Sequence, residues 1–383
     1  MNEASLKRLA KYIVSRGDTK LPEILVSSTG NDTNHEKIIR SLNLGPEWTA
    51  ALTNIVAAQD STKQPEDSLI EAIKVLTKIA SHEKLWAARV LARVCTALAS
   101  AAVTSGNPAA MDAASTAIRQ AFRVVVTDYE DEEPQEGRTL ECYTVAVCLL
   151  RLYVRMHAYS LAEGIMSAIN GYSGNIAPLS KSSPQVQTQF LFYKGMLAFY
   201  EQKYGVSCEC LSTALKTSMT PVQLEHTMAY LILAKFLVEN RVPTPELWST
   251  IPRLRELYAP LLAATRRGDY AAYKSHMKTH ADTLRKNRLY LACDVLVPRL
   301  RLNLLRRCWE LLGRPKRVPV DIYAVALQVA GFDPATSEAA EFYMSQFILR
   351  GQLKGYIHHD LQLLMVSKTQ PFPTLVKPTN TNT

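Results

Sequence analysis

Residues 318–373 read VPVDIYAVALQVAGFDPATSEAAEFYMSQFILRGQLKGYIHHDLQLLMVSKTQPFP, and this stretch decides the fold. Its start predicts a short apolar helix over 322–330, capped by Asp321 and stopped at Gly331. Asp333-Pro334 predicts the opening of a second helix, because Asp is a preferred N-cap and proline fits the first turn. That helix carries Tyr343, Met344, Phe347 and Ile348 inward and ends near Arg350-Gly351. The period then changes to two. Leu353, Gly355 and Ile357 alternate with Lys354 and Tyr356, His358-His359-Asp360 makes a turn, and 361–366 is a second short strand. Two strands alone are marginal in water, so the hairpin must lean on the helices before it. Helix, helix and hairpin in this order predict a winged helix at the end of something larger.

Upstream, almost nothing before residue 315 alternates with period two. Leu69, Ile73, Leu76 and Ile79 recur at spacings of three and four, and Trp86, Val90, Leu91, Val94 and Leu98 continue the pattern on the next helix. Gly106-Asn107-Pro108 breaks it. Residues 6–14 predict an opening helix, 21–26 a further apolar segment, 27–36 a polar loop, and 128–136 (DYEDEEPQE) a solvated acidic loop. Residues 191–215 suggest a helix, a short turn and a helix, with Gly195 at the crossing point, in the manner of a tetratricopeptide hairpin. A related pattern returns around Arg267-Gly268-Asp269-Tyr270. Stacked hairpins bury their apolar faces against neighbours and need a cap at the end, which the winged helix would supply.

The chain has 383 residues, enough for two or more domains or one extended array. Nearly half are apolar, yet no apolar run reaches the roughly 18 to 20 residues a membrane span needs. Met1–Ala4 lacks the basic-then-apolar opening of a secretory signal. Seven scattered cysteines predict reduced thiols, and Cys208 and Cys210 sit too far apart around a helix to share a metal. The expectation is a soluble intracellular protein without membrane, metal or cofactor. A net charge of +9 favours an acidic partner, nucleic acid or polypeptide, without choosing between them.

Three marks carry a family resemblance: Phe192-Tyr193-Lys194-Gly195, Arg267-Gly268-Asp269-Tyr270, and the ending in which Gly355-Tyr356-Ile357 is followed by Val366-Ser367-Lys368-Thr369-Gln370-Pro371-Phe372-Pro373. With helical hairpins running into a winged helix, the chain resembles the PCI-domain family, most closely the Thp-type subunit of the nuclear transcription-and-mRNA-export complex, and is also similar to signalosome-subunit-like PCI proteins. The resemblance implies an all-α PCI fold, a right-handed stack of TPR-like hairpins with a winged-helix cap. Residues 1–184 would be divergent N-terminal repeats, 185–317 the hairpin part of the PCI domain, 318–373 its winged helix and 374–383 a flexible tail. It implies a non-catalytic subunit at the nucleus or nuclear pore, partly cytoplasmic. That subunit would pair with a Sac-type PCI scaffold and a small acidic Dss/Sem-type protein, and bind RNA or single-stranded DNA. The alternative is a scaffold subunit of a proteasome-lid- or signalosome-like assembly without nucleic acid.

Cations cluster where such a role would need them. Arg299, Arg301, Arg306, Arg307, Arg314, Lys316 and Arg317 face a single acid, Glu310, in their own segment. Arg314, Lys316 and Arg317 in a loop, with Arg350, Lys354, His358, His359 and Lys368 around the hairpin, are the candidate nucleic-acid contacts, since such density neutralises phosphates. Arg314-Pro315-Lys316-Arg317 also matches a basic import signal. Arg266, Arg267, Lys274, Lys278, Arg285, Lys286 and Arg288 are the candidate seat of the acidic partner. The plainer reading of both sets is a solvated helix face whose stems cover apolar surface. Glu338, Glu341 and Ser345 on the exposed side of the second helix argue against base readout, because carboxylates repel phosphates at a groove. The aromatics Tyr193, Phe199, Tyr200, Tyr230, Phe236, Tyr258, Tyr270, Tyr290 and Trp309 fall at helical spacing and read as core. No glycine-rich phosphate loop, Gly-x-Ser-x-Gly elbow or His-Glu-x-x-His motif is present, so the sequence points away from an enzyme.

Overall fold

The computed structural model describes residues 3–17, 39, 41, 44–58, 65–83, 85–127, 138–217, 220–286 and 289–373. The segments predicted at 21–26, 27–36, 128–136 and 374–383 lie outside the described residues. The chain divides into two compact units, Met1–Leu197 and Ala198–Thr383.

The first unit is built of helices, with no strand among its described residues. Its helices are α1 (Glu3–Val14), α2 (Pro46–Ala57), α3 (Pro65–His82), α4 (Leu85–Ser105), α5 (Pro108–Val126), α6 (Cys142–Arg155) and α7 (Tyr159–Gly171); α8 (Pro184–Tyr200) runs into the second unit. Leu69, Ile73, Leu76 and Ile79 are all buried along α3, as their spacing requires. The break before α5 is a helix start: Asn107 Oδ1 accepts from the Ala109 amide at 3.0 Å, with Pro108 in the first turn. Helix α4 corrects the expectation that no apolar run reaches spanning length. By length and composition its 21 residues could cross a membrane, but it packs against α3, α5 and α6 and buries most of its apolar residues, with Arg89, Arg93 and Thr96 along one exposed line. A long apolar helix whose broad apolar face is covered by three neighbours is a core helix. Arg89 and Arg93 interrupt the apolar run in the sequence without changing that packing.

The second unit continues with α9 (Tyr204–Ala214), α10 (Pro221–Glu239), α11 (Pro245–Thr250), α12 (Pro252–Arg267), α13 (Tyr270–Thr279), α14 (Ala281–Lys286), α15 (Tyr290–Asp294) and α16 (Leu296–Leu311). Local chemistry sets these boundaries. Thr220 and Gln223 form a reciprocal capping box at the start of α10, and Asn240 ends it in the left-handed region. Gly268 ends α12 at φ +72°, and a Cβ there would lie 2.8 Å from Leu304 Cα, so the turn is pressed onto the backbone of α16. Asp269 then caps α13, accepting from the Ala272 amide at 2.9 Å. The sequence Arg267-Gly268-Asp269-Tyr270 is thus a stop, a close approach and a start in four residues.

The last part is a winged helix: β1 (Arg317–Pro319), α17 (Val320–Ala330), α18 (Ser337–Leu349), β2 (Gly355–His358) and β3 (Leu363–Val366). The all-α expectation with a C-terminal winged helix holds, with four local corrections. The sheet has three strands in the order β1-β3-β2, all antiparallel, instead of two. Arg317 therefore sits in a strand opposite Met365 and not in a loop. Three residues are too few for a period to show, and β1 exists because β3 pairs with it: Val366 N donates to Lys316 O and Val320 N to Gln362 O, both at 2.9 Å. Asp321 does not cap α17, whose N-cap is Pro319; its carboxylate instead accepts from Ser337 Oγ at the start of α18. Helix α18 starts after Thr336, whose hydroxyl accepts from the Ala339 amide at 3.2 Å, and not at Asp333-Pro334, where the peptide bond is cis.

The module is seated on α13 and α16. Tyr270 stacks on Phe332 with ring centroids 4.0 Å apart, and Tyr323 donates to Arg301 O at 3.0 Å. The Arg301 guanidinium lies 4.2 Å from the Tyr343 ring centroid and 4.9 Å from that of Phe332, tying α16 to α18 and to the turn that follows α17. The Pro371-Phe372-Pro373 ending folds back: Pro371 O accepts from Lys354 N at 2.7 Å and Phe372 packs on Trp309. The aromatics read as core are all buried or half-buried.

Candidate docking face

Helix α18 has two faces. Ala340, Met344 and Phe347 point into the module. On the outer side, Glu338, Phe342, Ser345 and Leu349 follow one another at steps of four, three and four, a single stripe along the helix. Phe342 is 58% exposed and Leu349 80%. Ser345 donates its hydroxyl to Glu341 O within the helix, so it presents little unsatisfied polarity. Beside the stripe, a groove of about 440 Å³ runs between α18 and β2, lined by Ser345, Gln346, Ile348, Leu349, Tyr356 and Ile357. Strand β2 is an outer strand of the sheet. Lys354 O accepts from Ser367 N, so by alternation the backbone groups of Tyr356 and His358 face β3 and those of Gly355 and Ile357 face outward. An apolar stripe, a groove and an open strand edge together suit a protein partner.

The predicted site residues take varied positions around this face. Arg350, Lys354 and Lys368 are exposed. Lys316 is exposed while its backbone carbonyl serves the sheet, and Arg314 lies 5.9 Å over the Trp309 ring at φ +59°. His358 is exposed at the end of β2. His359 is not a free turn histidine: its Nδ1 lies 2.8 Å from Glu341 Oε1, and Gln362 Nε2 donates to Glu341 Oε2 at 3.3 Å. The hydrogen bond from His359 holds the Glu341 carboxyl below its usual range, and the same bond raises the imidazole. Glu341 therefore clamps the wing to α18 and is not the open carboxylate expected beside Glu338.

The upstream cations divide in the same way. Arg299 and Arg301 are half-buried, Arg306 pairs with Glu310 at 3.1 Å, and Arg307 reaches Arg267 O at 3.5 Å. Arg266 donates to Asn240 O at 2.7 Å and Arg285 pairs with Asp282 at 3.8 Å, lying 5.1 Å over Tyr290. Lys274, Lys278, Lys286 and Arg267 are exposed, and Arg288 lies outside the described residues. Among the described residues no three His, Cys, Asp or Glu side chains gather as metal ligands. Burial pushes the Cys142 and Cys148 thiols up to about 12 and about 11, which removes them as thiolate nucleophiles near neutral pH.

Phe342, Leu349 and Tyr356 were not among the predicted site residues. The signal was present as the 4-3-4 spacing opposite the inward stripe, but reading it requires knowing that these side chains are exposed among the described residues.

A helical unit ending in a winged helix seated this way is the architecture of a PCI domain, and residues 277–368 match the PCI domain family model. The chain is 27% identical over 266 residues to the protein CSN12 homolog of Schizosaccharomyces pombe, covering 69% of this chain and 62% of that one. It is 26% identical over 272 residues to the CSN12 homolog of Neurospora crassa, covering 67% and 60%. COP9 signalosome complex subunit 12 of Eremothecium gossypii is 26% identical over 352 residues, covering 84% and 85%. The match thus spans less than two thirds of the length of the first two relatives. These names overturn the expectation of an mRNA-export subunit with a Sac-type scaffold, a Dss/Sem-type protein and nucleic acid as partners: the relatives carry the names CSN12 homolog and COP9 signalosome complex subunit 12. The outer face of α18 extends the expectation that this helix does not read bases. A helix meant for nucleic acid would expose cations where this one exposes Phe342 and Leu349.

Proposed function

We propose that the chain is a non-catalytic scaffold subunit of a signalosome-like assembly, docking to neighbouring subunits through the outer face of α18 and the groove beside β2. The observation that carries this reading is the exposure of Phe342 and Leu349 along the outer face of α18, beside exposed Tyr356 and the groove next to β2. Large apolar side chains exposed in a row mark interaction sites. The names of the relatives supply the class of assembly. Exposed Arg314, Lys316, Arg317, Arg350, Lys354 and Lys368 would meet acidic surfaces of the same neighbours, setting orientation and association rate more than affinity.

Co-expression of the full chain with COP9 signalosome subunits of its own organism, followed by size-exclusion chromatography, tests this. The wild type is expected to co-elute with at least one subunit, and Phe342→Glu with Leu349→Glu to abolish co-elution while circular dichroism stays unchanged. A wild-type chain that enters no such complex, or a double variant that still enters it, refutes the reading.

A further inference from the structure

We infer that α18 is self-complementary and that the free chain forms a two-fold symmetric dimer through it. The inference rests on reading α18 as a docking face and names a second occupant for it, a second copy of this chain. Along the outer stripe an acid, Glu338, stands at the N-terminal end and a cation, Arg350, just beyond the C-terminal end, with Lys354 following. Between them lie Phe342, the small Ser345 and Leu349. Turn a second helix antiparallel about an axis passing between Ser345 and Gln346, and Phe342 of each copy falls against Leu349 of the other. Ser345 lies at the crossing, where a small side chain already hydrogen-bonded to Glu341 O permits close approach. Glu338 of each copy then lies over the Arg350–Lys354 end of its mate. Every pairing occurs twice, as an isologous interface demands.

The charge order also suits the helix dipoles, since acids favour N-termini and cations C-termini, and antiparallel packing brings the opposite ends together. Tyr356, 62% exposed on the neighbouring strand, widens the buried area at each end. One helix and one strand per copy give less than a standard interface, so the dimer exchanges with monomer at concentrations on the order of tens of micromolar. Self-association through this face and entry into an assembly through the same face exclude each other. The dimer would thus be a store of unassembled subunit with its apolar stripe covered.

The test is sedimentation velocity of the full chain from low to high micromolar concentration. The wild type is expected to shift from one chain to two. Glu338→Lys and Arg350→Glu should each stay monomeric, because each sets like charges against one another, and an equimolar mixture of the two should return to two chains, because it restores both pairs. Leu349→Glu should stay monomeric in every mixture. All four positions are exposed, and circular dichroism checks that each variant is folded; Lys354→Glu serves in place of Arg350→Glu if that chain is not. A wild type that remains one chain throughout, a dimer that none of the variants shifts, or a mixture that fails to associate overturns the inference. A monomeric wild type whose co-elution with signalosome subunits is still lost on Leu349→Glu overturns self-association alone and leaves the docking reading standing.

Discussion

Replacing Gly268 by alanine tests how closely the turn between α12 and α13 is packed on α16, the helix that carries the winged helix. Gly268 has φ +72°, and a Cβ there would come within 2.8 Å of Leu304 Cα and Cβ and 3.0 Å of Leu304 N. The obstacle is backbone in the middle of α16, which cannot turn aside as a flexible side chain would. The left-handed conformation alone costs alanine about 1 kcal/mol after the gain in unfolded-state entropy is offset. Overpacking against a fixed backbone adds about 1–3 kcal/mol. The sum is a loss of roughly 2–4 kcal/mol from the second unit. Gly351 supplies the control: its φ is +67°, but no atom lies within 4 Å of an added Cβ. Gly351→Ala should therefore cost only the conformational part, about 1 kcal/mol. The assay is native-state hydrogen exchange by mass spectrometry across a urea series. It follows the amides around buried Leu300, Leu302 and Leu305 in α16, so the second unit is read separately from the first. Equal losses for the two variants would refute the reasoning, because the 2.8 Å approach would then carry no energy.

Two further predictions concern the winged helix. The bond between His359 and Glu341 should show in the proton NMR titration of the imidazole, with an apparent pKa above the usual 6.5 that falls back in Glu341→Gln. The raised histidine contributes stability below its ordinary pKa and loses it as pH rises through the raised value. The lowered Glu341 contributes above its usual 4.5 and loses it as pH falls through the lowered value, so the wing is held most firmly between 4.5 and 6.5 and loosens as pH rises through the raised imidazole value; a titration identical in the two proteins would refute the clamp. Arg301→Lys keeps the charge but loses the planar guanidinium over Tyr343 and Phe332, and should cost the second unit about 1 kcal/mol in urea unfolding, whereas an unchanged midpoint would show that the stacking contributes nothing.

Much of the fold was legible because its signals are local. The stop at Gly331, the break at Asn107-Pro108 and the period change at Leu353 each depend on a few adjacent residues. Boundaries set by distant partners were misread. Strand β1 is held by Val366 and Gln362, and Asp321 serves the start of α18 instead of its own helix. The site was less legible than the fold. A count of cations marks the region as basic, but it cannot tell Arg306, paired with Glu310, from Lys354, which is exposed. Likewise Glu341 reads as a free carboxylate until the turn carrying His359 and Gln362 is folded over it.

The amino-acid sequence alone determined that this chain is built of helices and closes on a winged helix, because periodicity, capping residues and glycine stops act within one or two turns of the backbone. Tertiary structure decided which side of α18 is left uncovered and which charges are already paired. Exposure and charge pairing are properties of what lies across a gap in space, and residues tens of positions apart fill or leave that gap only once the chain has folded.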